Sequence, residues 1–282
     1  MARLIYLALG QTSYFDQAIF SILSARRYCA QGSSVPRITL YTDLPIDPEG
    51  LVDDLVTLSE EEVYRWIGGG RYVFRAKILA LHDALHRYGE ATALLDTDTF
   101  FKTSPGELFE RIGPGRALME RVEPIRLADT RALVEKAQLD PGLHTYVLSA
   151  NSPMWNAGVI GMDPINAGLV AEVLALSDAL FDSIRDWYVE QYAFTAVLGR
   201  SLQLREASDI VYHYCHPVLK RAFERSFRRF NARWGSMPLS ERATACMEYR
   251  PRWDFYNTAK ILAKQALRRA GLFRKPIRFD LT

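Results

Sequence analysis

The sequence is poor in cysteine and has no long apolar segment. Its three cysteines, Cys29, Cys215 and Cys246, fit neither a metal-binding spacing nor an even set of disulfides, which is typical of a reducing cytoplasm. No window approaches about 18 uninterrupted apolar residues, so no transmembrane helix is predicted. Internal repeats and low-complexity stretches are absent as well. The 282 residues, 49% of them hydrophobic, suffice for one large α/β domain or a domain with an appended subdomain.

The net charge of +2 hides a strong asymmetry along the chain. From Lys220 to the end there are 16 Lys and Arg against 5 Asp and Glu, a net of +11, which leaves 19 against 28, a net of −9, before it. An acidic body with a basic tail predicts an anionic partner for the tail. Because the tail shows no nucleic-acid-binding module and ends in a basic, amphipathic helix-like stretch, an anionic membrane surface is favoured and no nucleic-acid partner is expected.

Hydrophobic periodicity predicts strands and helices in alternation. Residues 71–88 form the clearest amphipathic helix, with Gly89 as its stop, and a short apolar strand follows at 91–96. This alternation predicts an α/β fold, a mostly parallel sheet with helices on both faces. The other predicted strands are 3–9, 37–43, 52–58, 116–119, 154–163, 202–204 and 210–214, and the other predicted helices are 17–30, 166–181, 187–198 and 257–270. The predicted units are an α/β domain over residues 1–219 and a basic, aromatic extension over residues 220–282.

The most informative segment closes the strand at residues 91–96. Asp96 and Asp98 would point to opposite faces of an extended chain, but the backbone turns where a strand ends, so both carboxylates can converge on one cation. Ligands of open α/β sheets bind at such strand ends. Carboxylate oxygens suit hard cations such as Mg²⁺ or Mn²⁺, which also accept phosphate oxygens. The motif therefore indicates a metal-bridged phosphate substrate, although a solvated turn would give the same pattern.

Four stretches of the sequence occur together in one enzyme family. They are LLDTDTFF at 94–101, NAGVIG at 156–161, EQYAF at 190–194 and HYC at 213–215. With the opening strand and helix, they make residues 3–220 resemble the nucleotide-sugar-dependent glycosyltransferases of the GT-A fold. The nearest likeness is to the retaining galactosyl- and glucosyltransferases that include glycogenin and bacterial lipooligosaccharide galactosyltransferases. The resemblance implies a mostly parallel central sheet flanked by helices, and transfer of a sugar from a nucleoside diphosphate sugar, by family habit a UDP-sugar, to a glycan or lipid-linked acceptor.

The resemblance also implies a metal site. Asp96 and Asp98 match the family's Asp-x-Asp, which holds Mn²⁺ or Mg²⁺ against the donor diphosphate. His213 matches the late histidine that completes the metal shell, with His216 as the competing ligand. Without the aspartate motif, His213 would be interpreted as a core histidine bonded to the backbone.

Further matches concern the donor sugar and the reaction. Glu190 and Gln191 match the acidic-Gln pair near the anomeric carbon and are the implied catalytic residues. Asn156 and Gly158 match the Asn-x-Gly that lines the donor pocket, where a side chain beyond glycine would crowd the sugar; a simple turn is the alternative interpretation. The implied donor-binding residues are Ala8, Gly10 and Asp43 at the base and ribose, and Arg75, Lys77, Asp96, Thr97, Asn156 and Gly158 at the sugar and phosphates.

The sequence differs from the family pattern after His213. The family usually continues with Gly and then Lys-Pro-Trp, whereas here His216-Pro217 follows and Lys220 lies about one position out of place. Glu190 replaces the usual Asp. These differences leave open which residue clamps the β-phosphate and whether the reaction inverts, although the resemblance implies retention.

A second enzyme class fits the same strand end. Haloacid-dehalogenase-like phosphotransferases also have Asp-x-Asp-x-Thr after an apolar strand, with Asp96 then the nucleophile and Asp98 the general acid or base. That class normally places the motif on the first strand, and here two strand-like segments precede it. A basic-tailed binding protein without enzymatic activity would explain the tail but not the four motifs. The expected location is cytoplasmic, with peripheral association at the inner face of a membrane.

Overall fold

The computed structural model describes residues 1–28, 36–46, 48, 50–123, 127–140, 142, 143, 146, 148, 153–248, 263 and 266, with the backbone alone for 127–132. Cys29 and, apart from residues 263 and 266, the predicted helix at 257–270 lie outside this part of the chain. The described residues form a mixed α/β fold.

A sheet of seven strands lies at the centre of the fold. The described strands are β1 (Ala2–Ala8), β2 (Arg37–Thr42), β3 (Asp54–Thr57), β4 (Ala91–Leu95), β5 (Thr99–Phe101), β6 (Arg116–Met119), β7 (Val122–Glu123), β8 (Met154–Trp155), β9 (Val159–Met162), β10 (Gln203–Glu206) and β11 (Val211–His213). The order in the large sheet is β10-β6-β9-β4-β1-β2-β3, with β9 antiparallel to both neighbours and the other pairs parallel. The predicted, mostly parallel sheet is therefore confirmed. Two short antiparallel ladders, β5–β11 and β7–β8, complete the strand pairing.

Helices cover both faces of this sheet. The described helices are α1 (Thr12–Arg26), α2 (Glu60–Trp66), α3 (Arg75–Tyr88), α4 (Gly106–Glu110), α5 (Leu127–Leu139), α6 (Ala167–Ile184), α7 (Val189–Ser201), α8 (Pro217–Trp234) and α9 (Leu239–Glu248). α3 ends as its sequence predicts, because Gly89 adopts the left-handed conformation (φ 60°) that lets its N–H bond to the carbonyl of Leu85. No helix in the described part of the chain combines the length and the apolar character needed to cross a bilayer.

The two faces of the sheet carry separate cores, because successive residues of a strand point to opposite sides. Along β1, Leu4 and Tyr6 belong to the core that α1, α8 and α9 cover. Ile5, between them, belongs to the core formed with α3, α6 and α7. The carboxyl ends of the parallel strands are thereby held at one edge, between two layers of helices.

The start of the basic extension is part of the first core. α8 buries Phe223, Phe227 and Phe230 against Phe20 of α1, with ring centroids 5.0, 5.9 and 6.0 Å from that of Phe20. Its opposite side exposes five basic residues, Arg221, Arg225, Arg228, Arg229 and Arg233. The described residues 220–248 therefore pack on the α/β domain, and a functional boundary at residue 220 stays a prediction.

Helices α8 and α9 were not among the predicted elements, and two further local features differ from the prediction. The sequence did not predict α2, because none of its residues is buried; a capping box between Ser59 and Glu62 fixes its start instead. The predicted strand at 154–163 is divided into β8 and β9. The cause is Asn156, whose Oδ1 accepts the backbone N–H of Gly158 at 2.7 Å and turns the chain.

Candidate metal and donor site

A tight turn after β4 presents the two aspartates. The backbone N–H of Asp96 donates to the carbonyl of Gly158 at 2.8 Å, which ties the end of β4 to the start of β9. Thr99 Oγ1 donates to the carbonyl of Asp96 at 2.8 Å and closes the turn. The chain therefore changes direction between Asp96 and Asp98, so both carboxylates lie on the same side, as the sequence predicted.

The β5–β11 ladder brings His213 to the aspartates. Thr99 pairs with His213, and the N–H of Tyr214 donates to the carbonyl of Asp98 at 3.0 Å. His213 Nε2 lies 3.4 Å from Asp98 Oδ1 and 3.8 Å from Asp96 Oδ2. The three ligand atoms of Asp96, Asp98 and His213 all lie within 4.8 Å of one another.

His216, the competing ligand, has another role in the structure. It is the N-cap residue of α8, and its Nδ1 accepts the N–H of Val218 at 3.3 Å. Among the described residues, the histidine that joins the two aspartates in a possible metal-binding group is His213.

A buried glutamate orients the His213 ring. Glu120, 1% exposed, follows β6 and places its Oε2 2.6 Å from His213 Nδ1. Gly158 makes room for this pair, since a Cβ at that position would overlap the His213 ring and lie 2.9 Å from Glu120 Oε2. The observed orientation of the His213 ring therefore requires a glycine at position 158, whereas the resemblance explained this glycine by contact with the sugar. Glu120 itself was not predicted, although an acidic residue directly after an apolar strand is the same signal that identified Asp96.

The free side of the imidazole fits a divalent cation. His213 Nε2 is buried and has no hydrogen-bond partner in the described part of the chain, although it faces two carboxylates. Burial lowers the pKa of His213, but the neighbouring carboxylates of Asp98 and Glu120 outweigh burial and hold that pKa well above its usual value. Burial raises the pKa of Asp98, but His213 and Lys220 outweigh it and keep the carboxyl ionised far below its usual range. One imidazole with two carboxylates is a donor set suited to Mn²⁺ or Mg²⁺.

Two lysines flank the cluster. Lys77 Nζ lies 2.8 Å from Asp96 Oδ1 and 3.0 Å from Glu190 Oε1, and it donates to the carbonyl of Ala157 at 3.0 Å. On the other side, Lys220 Nζ lies 2.8 Å from Asp98 Oδ2. The displaced position of Lys220 in the sequence does not keep it from the site, because the first turn of α8 begins beside Asp98.

A cleft of about 180 Å³ opens over this cluster. Its wall includes Asn156, Glu190 and Gln191, all at least nine-tenths buried, together with the exposed Trp187. Glu123, which the sequence did not single out, holds both amides, since Asn156 Nδ2 donates to its Oε1 and Gln191 Nε2 donates to its Oε2 at 3.4 Å. Burial raises the pKa of Glu190 to about 7, against the opposing effect of Lys77.

Comparison with known proteins identifies the architecture. No protein-family profile matches the sequence, and no curated protein matches it either. Among solved structures, galactosyltransferase LgtC in complex with donor and acceptor sugar analogs is similar, with a TM-score of 0.53 over 86% of this chain and 95% of that chain, at 12% identity. The chain has the GT-A fold. The bifunctional glycosyltransferase WbbM (TM-score 0.49, 13% identity, 73% and 39% of the two chains) and the glycosyltransferase GlyE of Streptococcus pneumoniae (0.45, 14%, 85% and 52%) are also similar.

Some residues predicted from the GT-A resemblance lie away from the cleft. Arg75 forms a bidentate pair with Asp178, at 2.8 and 3.1 Å, and also donates to two carbonyls of α2, so the structure does not bring it to the metal cluster. Thr97 is buried, and its Oγ1 donates to Gln17 of α1 at 3.0 Å.

The residues predicted to bind the base and ribose lie at or just after the ends of β1 and β2, in a group separate from the metal cluster. The N–H of Gly10 lies 2.8 Å from Asp43 Oδ1 and 3.1 Å from Asp43 Oδ2, which ties the ends of the two strands together. Ala8 is fully buried at the end of β1. Their role at a base and ribose stays a prediction.

Proposed function

We propose that this protein is a metal-dependent glycosyltransferase that transfers a sugar from a nucleoside diphosphate sugar to a glycan or lipid-linked acceptor. The observation that carries the proposal is the group formed by Asp96, Asp98 and His213 at the carboxyl end of β4, in a GT-A fold. This is the sheet edge at which α/β proteins bind ligands. Among the described residues, the buried Nε2 of His213 has no hydrogen-bond partner, which is costly for a polar atom away from water unless an ion binds there.

Mn²⁺ or Mg²⁺ is the proposed cofactor, held by Asp96, Asp98 and His213. Such an ion supplies positive charge against the leaving nucleoside diphosphate. Lys220 adds a second positive charge beside Asp98 and is the proposed contact for a donor phosphate, although it lies about one position away from the family's lysine. Lys77, paired with Asp96, holds the first aspartate in place.

The donor is proposed to lie along the strand ends from β2 to β9. Its base and ribose would lie at Ala8, Gly10 and Asp43, where the ends of β1 and β2 are joined. The sugar would lie against Asn156 and the backbone of Gly158 in the cleft. A UDP-sugar is proposed on the resemblance alone.

The reaction is proposed to retain the configuration of the sugar, with Gln191 and Glu190 as the catalytic residues. The acceptor hydroxyl attacks from the face that the diphosphate leaves, and its proton passes to a leaving phosphate oxygen. The amide nitrogen of Gln191 is engaged by Glu123, which leaves the amide oxygen to stabilise positive charge at the anomeric carbon. In an inverting reaction, Glu190 would instead accept the acceptor's proton.

A cytoplasmic location, with peripheral binding to the inner face of a membrane, is part of the proposal. Its support is the net charge of +11 after residue 219 and the exposed arginines on the outer side of α8. Arginines on one side of a helix attract anionic lipid headgroups. This surface would keep a lipid-linked acceptor near the cleft, because α8 begins at Pro217, close to Lys220 and the metal cluster.

The phosphotransferase alternative has lost its support. That class normally places the Asp-x-Asp motif on the first strand of a different fold, and here β4 carries the motif within a GT-A sheet. In that alternative Asp96 is a nucleophile, whereas here its carboxylate is engaged by Lys77 and faces the imidazole of His213.

Metal-dependent nucleotide binding tests the proposal. Isothermal titration calorimetry with UDP, GDP and CDP, with and without Mn²⁺, would compare the wild type with Asp98→Asn. Asp182→Asn is the matched control, because Asp182 is an exposed acidic residue in a surface ion pair, of little energetic value. We expect one nucleoside diphosphate to bind only with Mn²⁺, to lose most of its affinity in Asp98→Asn, and to bind Asp182→Asn normally. Stabilisation by phosphate or beryllofluoride, with no nucleotide binding, would overturn the proposal in favour of phosphotransfer.

A further inference from the structure

Helix α1 buries a stripe of polar side chains. Gln17, Ser21 and Ser24 follow the i, i+4, i+7 spacing of one side of a helix, and each is 1% exposed or less. The buried side of a helix is normally apolar, because a polar group away from water costs free energy unless it is hydrogen-bonded. Three polar residues on one buried side therefore indicate that they share a hydrogen-bonding partner.

That partner is the segment that contains the second aspartate. At one end of the stripe, Gln17 Oε1 accepts a hydrogen bond from Thr97 Oγ1 at 3.0 Å, and Thr97 is the residue between the two aspartates. At the other end, Ser24 Oγ accepts the backbone N–H of Phe101 in β5 at 2.9 Å. Helix α1 therefore holds both ends of residues 97–101.

Ser21, in the middle of the stripe, belongs to a chain of buried hydroxyls that ends at Asp96. Ser21 Oγ lies 3.0 Å from the hydroxyl of Tyr6 and 3.0 Å from Thr99 Oγ1. Thr99 Oγ1 donates its one proton to the carbonyl of Asp96 at 2.8 Å, so it must accept from Ser21. Ser21 has then used its own proton and must accept from Tyr6. All three hydroxyls donate in the same direction, an order in which each bond strengthens the next.

This chain fixes the backbone at the first aspartate. The N–H of Asp96 donates to the carbonyl of Gly158, and the carbonyl of Asp96 accepts from Thr99, so both of its backbone polar groups are bonded. Loss of the second bond would free the peptide group that joins Asp96 to Thr97. Because that peptide group lies between the two carboxylates, its rotation would change their separation.

Contact with a substrate does not explain the polar stripe. Gln17, Ser21 and Ser24 are absent from the wall of the cleft, as is Tyr6. Nor does bonding within α1 explain it, since Ser24 donates back to the carbonyl of Ser21, whereas the proton of Ser21 goes to Thr99. The polar groups of Gln17 and Ser21 are therefore directed at the turn that presents the aspartates.

We propose that Gln17 and Ser21 are positioning residues of the metal site, which hold its two aspartates in place through Thr97 and Thr99. The inference rests on the proposed metal-dependent function. It extends the site to a helix that supplies no metal ligand, and it makes the affinity for the ion depend on hydroxyl and amide groups buried behind the cleft.

A double-mutant cycle on Mn²⁺ affinity tests the proposal. Calorimetry with Mn²⁺ compares the wild type with Ser21→Ala, with Thr99→Val, which keeps the shape of Thr but removes the hydroxyl, and with the double variant. Thr99→Ser restores the hydroxyl, and Gln17→Met removes the amide at similar length. Urea denaturation of each variant measures its stability separately.

The matched controls lie on α6, in the core on the other side of the sheet. Ser177 is fully buried, and its Oγ has no hydrogen-bond partner in the described part of the chain, so Ser177→Ala removes a buried hydroxyl that holds nothing. Leu180→Ala leaves a cavity in that core and lowers stability without changing the polar stripe. Both variants should bind Mn²⁺ as the wild type does.

We expect Ser21→Ala, Thr99→Val and Gln17→Met each to lower Mn²⁺ affinity about tenfold, the lower end of the range for disturbed partners of metal ligands. The double variant should also lose about tenfold, because Ser21 acts through Thr99 and the two losses are then not additive in free energy. Thr99→Ser should keep most of the affinity. If Ser21→Ala does not fold, Gln17→Met and the two Thr99 variants still decide the matter.

Three results would overturn the inference. They are normal Mn²⁺ affinity in Ser21→Ala or in Gln17→Met, a loss of about 100-fold in the double variant, and a loss in Leu180→Ala equal to that in Ser21→Ala. Absence of Mn²⁺ binding in the wild type would instead refute the proposed metal site itself.

Discussion

The two ring nitrogens of His213 face different groups, and this division determines what the side chain can bind. Nδ1 lies 2.6 Å from Glu120, which fixes the orientation of the ring. Nε2 is left to face Asp96 and Asp98. A carboxylate on the far nitrogen is the usual companion of a metal-binding histidine, since it sets the tautomer and raises the basicity of the near nitrogen.

At the residue scale, Gly158→Ala should weaken metal binding without touching a ligand. The added Cβ would overlap the His213 ring and crowd Glu120, so the ring must move away from the aspartates. We expect Mn²⁺ affinity to fall about 10- to 100-fold, the range for disturbed partners of metal ligands. The free energy of unfolding should fall by about 1–3 kcal/mol from overpacking. Calorimetry with Mn²⁺ and urea denaturation measure the two effects.

Gly168→Ala is the matched control for that variant. Gly168 lies in the first turn of α6, and nothing lies within 4 Å of the position of an added Cβ. Its Mn²⁺ affinity should equal that of the wild type. If Gly158→Ala also binds Mn²⁺ normally, then His213 does not contribute to the metal site in the orientation described here.

The sequence predicted that the three proposed metal ligands lie together, but it did not predict their neighbours. The structure brings Asp96, Asp98 and His213 together because a short motif ends a strand and a late ladder returns to it. Glu120 follows an apolar strand as Asp96 does, but its partner and those of Glu123 could not be predicted, since these partners are distant in sequence and depend on which strands become neighbours. Arg75 shows the reverse case, because α6 supplies Asp178 beside it and no pattern in the sequence places those two helices together.

At the scale of elements, α8 behaves as part of the domain core. Phe223→Ala should lower the free energy of unfolding by about 3–5 kcal/mol, the usual effect of removing a buried aromatic ring. Phe223 is fully buried and its ring lies 4.6 Å from that of Tyr214 and 5.0 Å from that of Phe20. Arg225→Ala, two residues along the same helix and exposed, should change stability by less than about 0.5 kcal/mol. Equal stabilities in urea denaturation would mean that α8 does not pack as described.

Periodicity predicted several elements that bury a face, but it missed α8, which buries three phenylalanines. α3 has a regular apolar stripe, so both its existence and its end at Gly89 follow from the sequence. α2 buries nothing and is specified by its cap alone. The division between β8 and β9 depends on one side-chain hydrogen bond of Asn156, which an apolar pattern does not reveal.

At the scale of the whole molecule, the distribution of charge predicts which part of the chain would carry the proposed membrane binding. Residues 249–282 contain 9 Lys and Arg against 2 Asp and Glu, so a protein ending at Glu248 has 26 against 31 and a net charge of −5 in place of +2. It keeps α8 and its buried phenylalanines. We expect it to lose most of its binding to vesicles rich in phosphatidylglycerol, measured by co-sedimentation at low salt.

The control for this truncation keeps the chain length. In the full-length protein, the nine basic residues after 248 are changed to Gln, and a melting curve checks the fold of both variants. Loss of vesicle binding in both variants would show that the positive charge of residues 249–282 is responsible for the binding. Retained binding in the truncated protein would show that the distal tail is not needed, and would leave the arginines of α8 as the contact.

Because β11 is synthesised after the other described strands, the proposed metal site can be completed only late in synthesis. Asp96, Asp98 and Glu120 leave the ribosome well before His213, which follows Glu120 by 93 positions. Every strand of the seven-stranded sheet also precedes β11 in the chain. His213, the last of the three proposed metal ligands, therefore docks only after the seven-stranded sheet has been made. In the proposed metal site, a nascent or prematurely terminated chain would hold the two carboxylates without the imidazole, so we expect its affinity for the ion to be low.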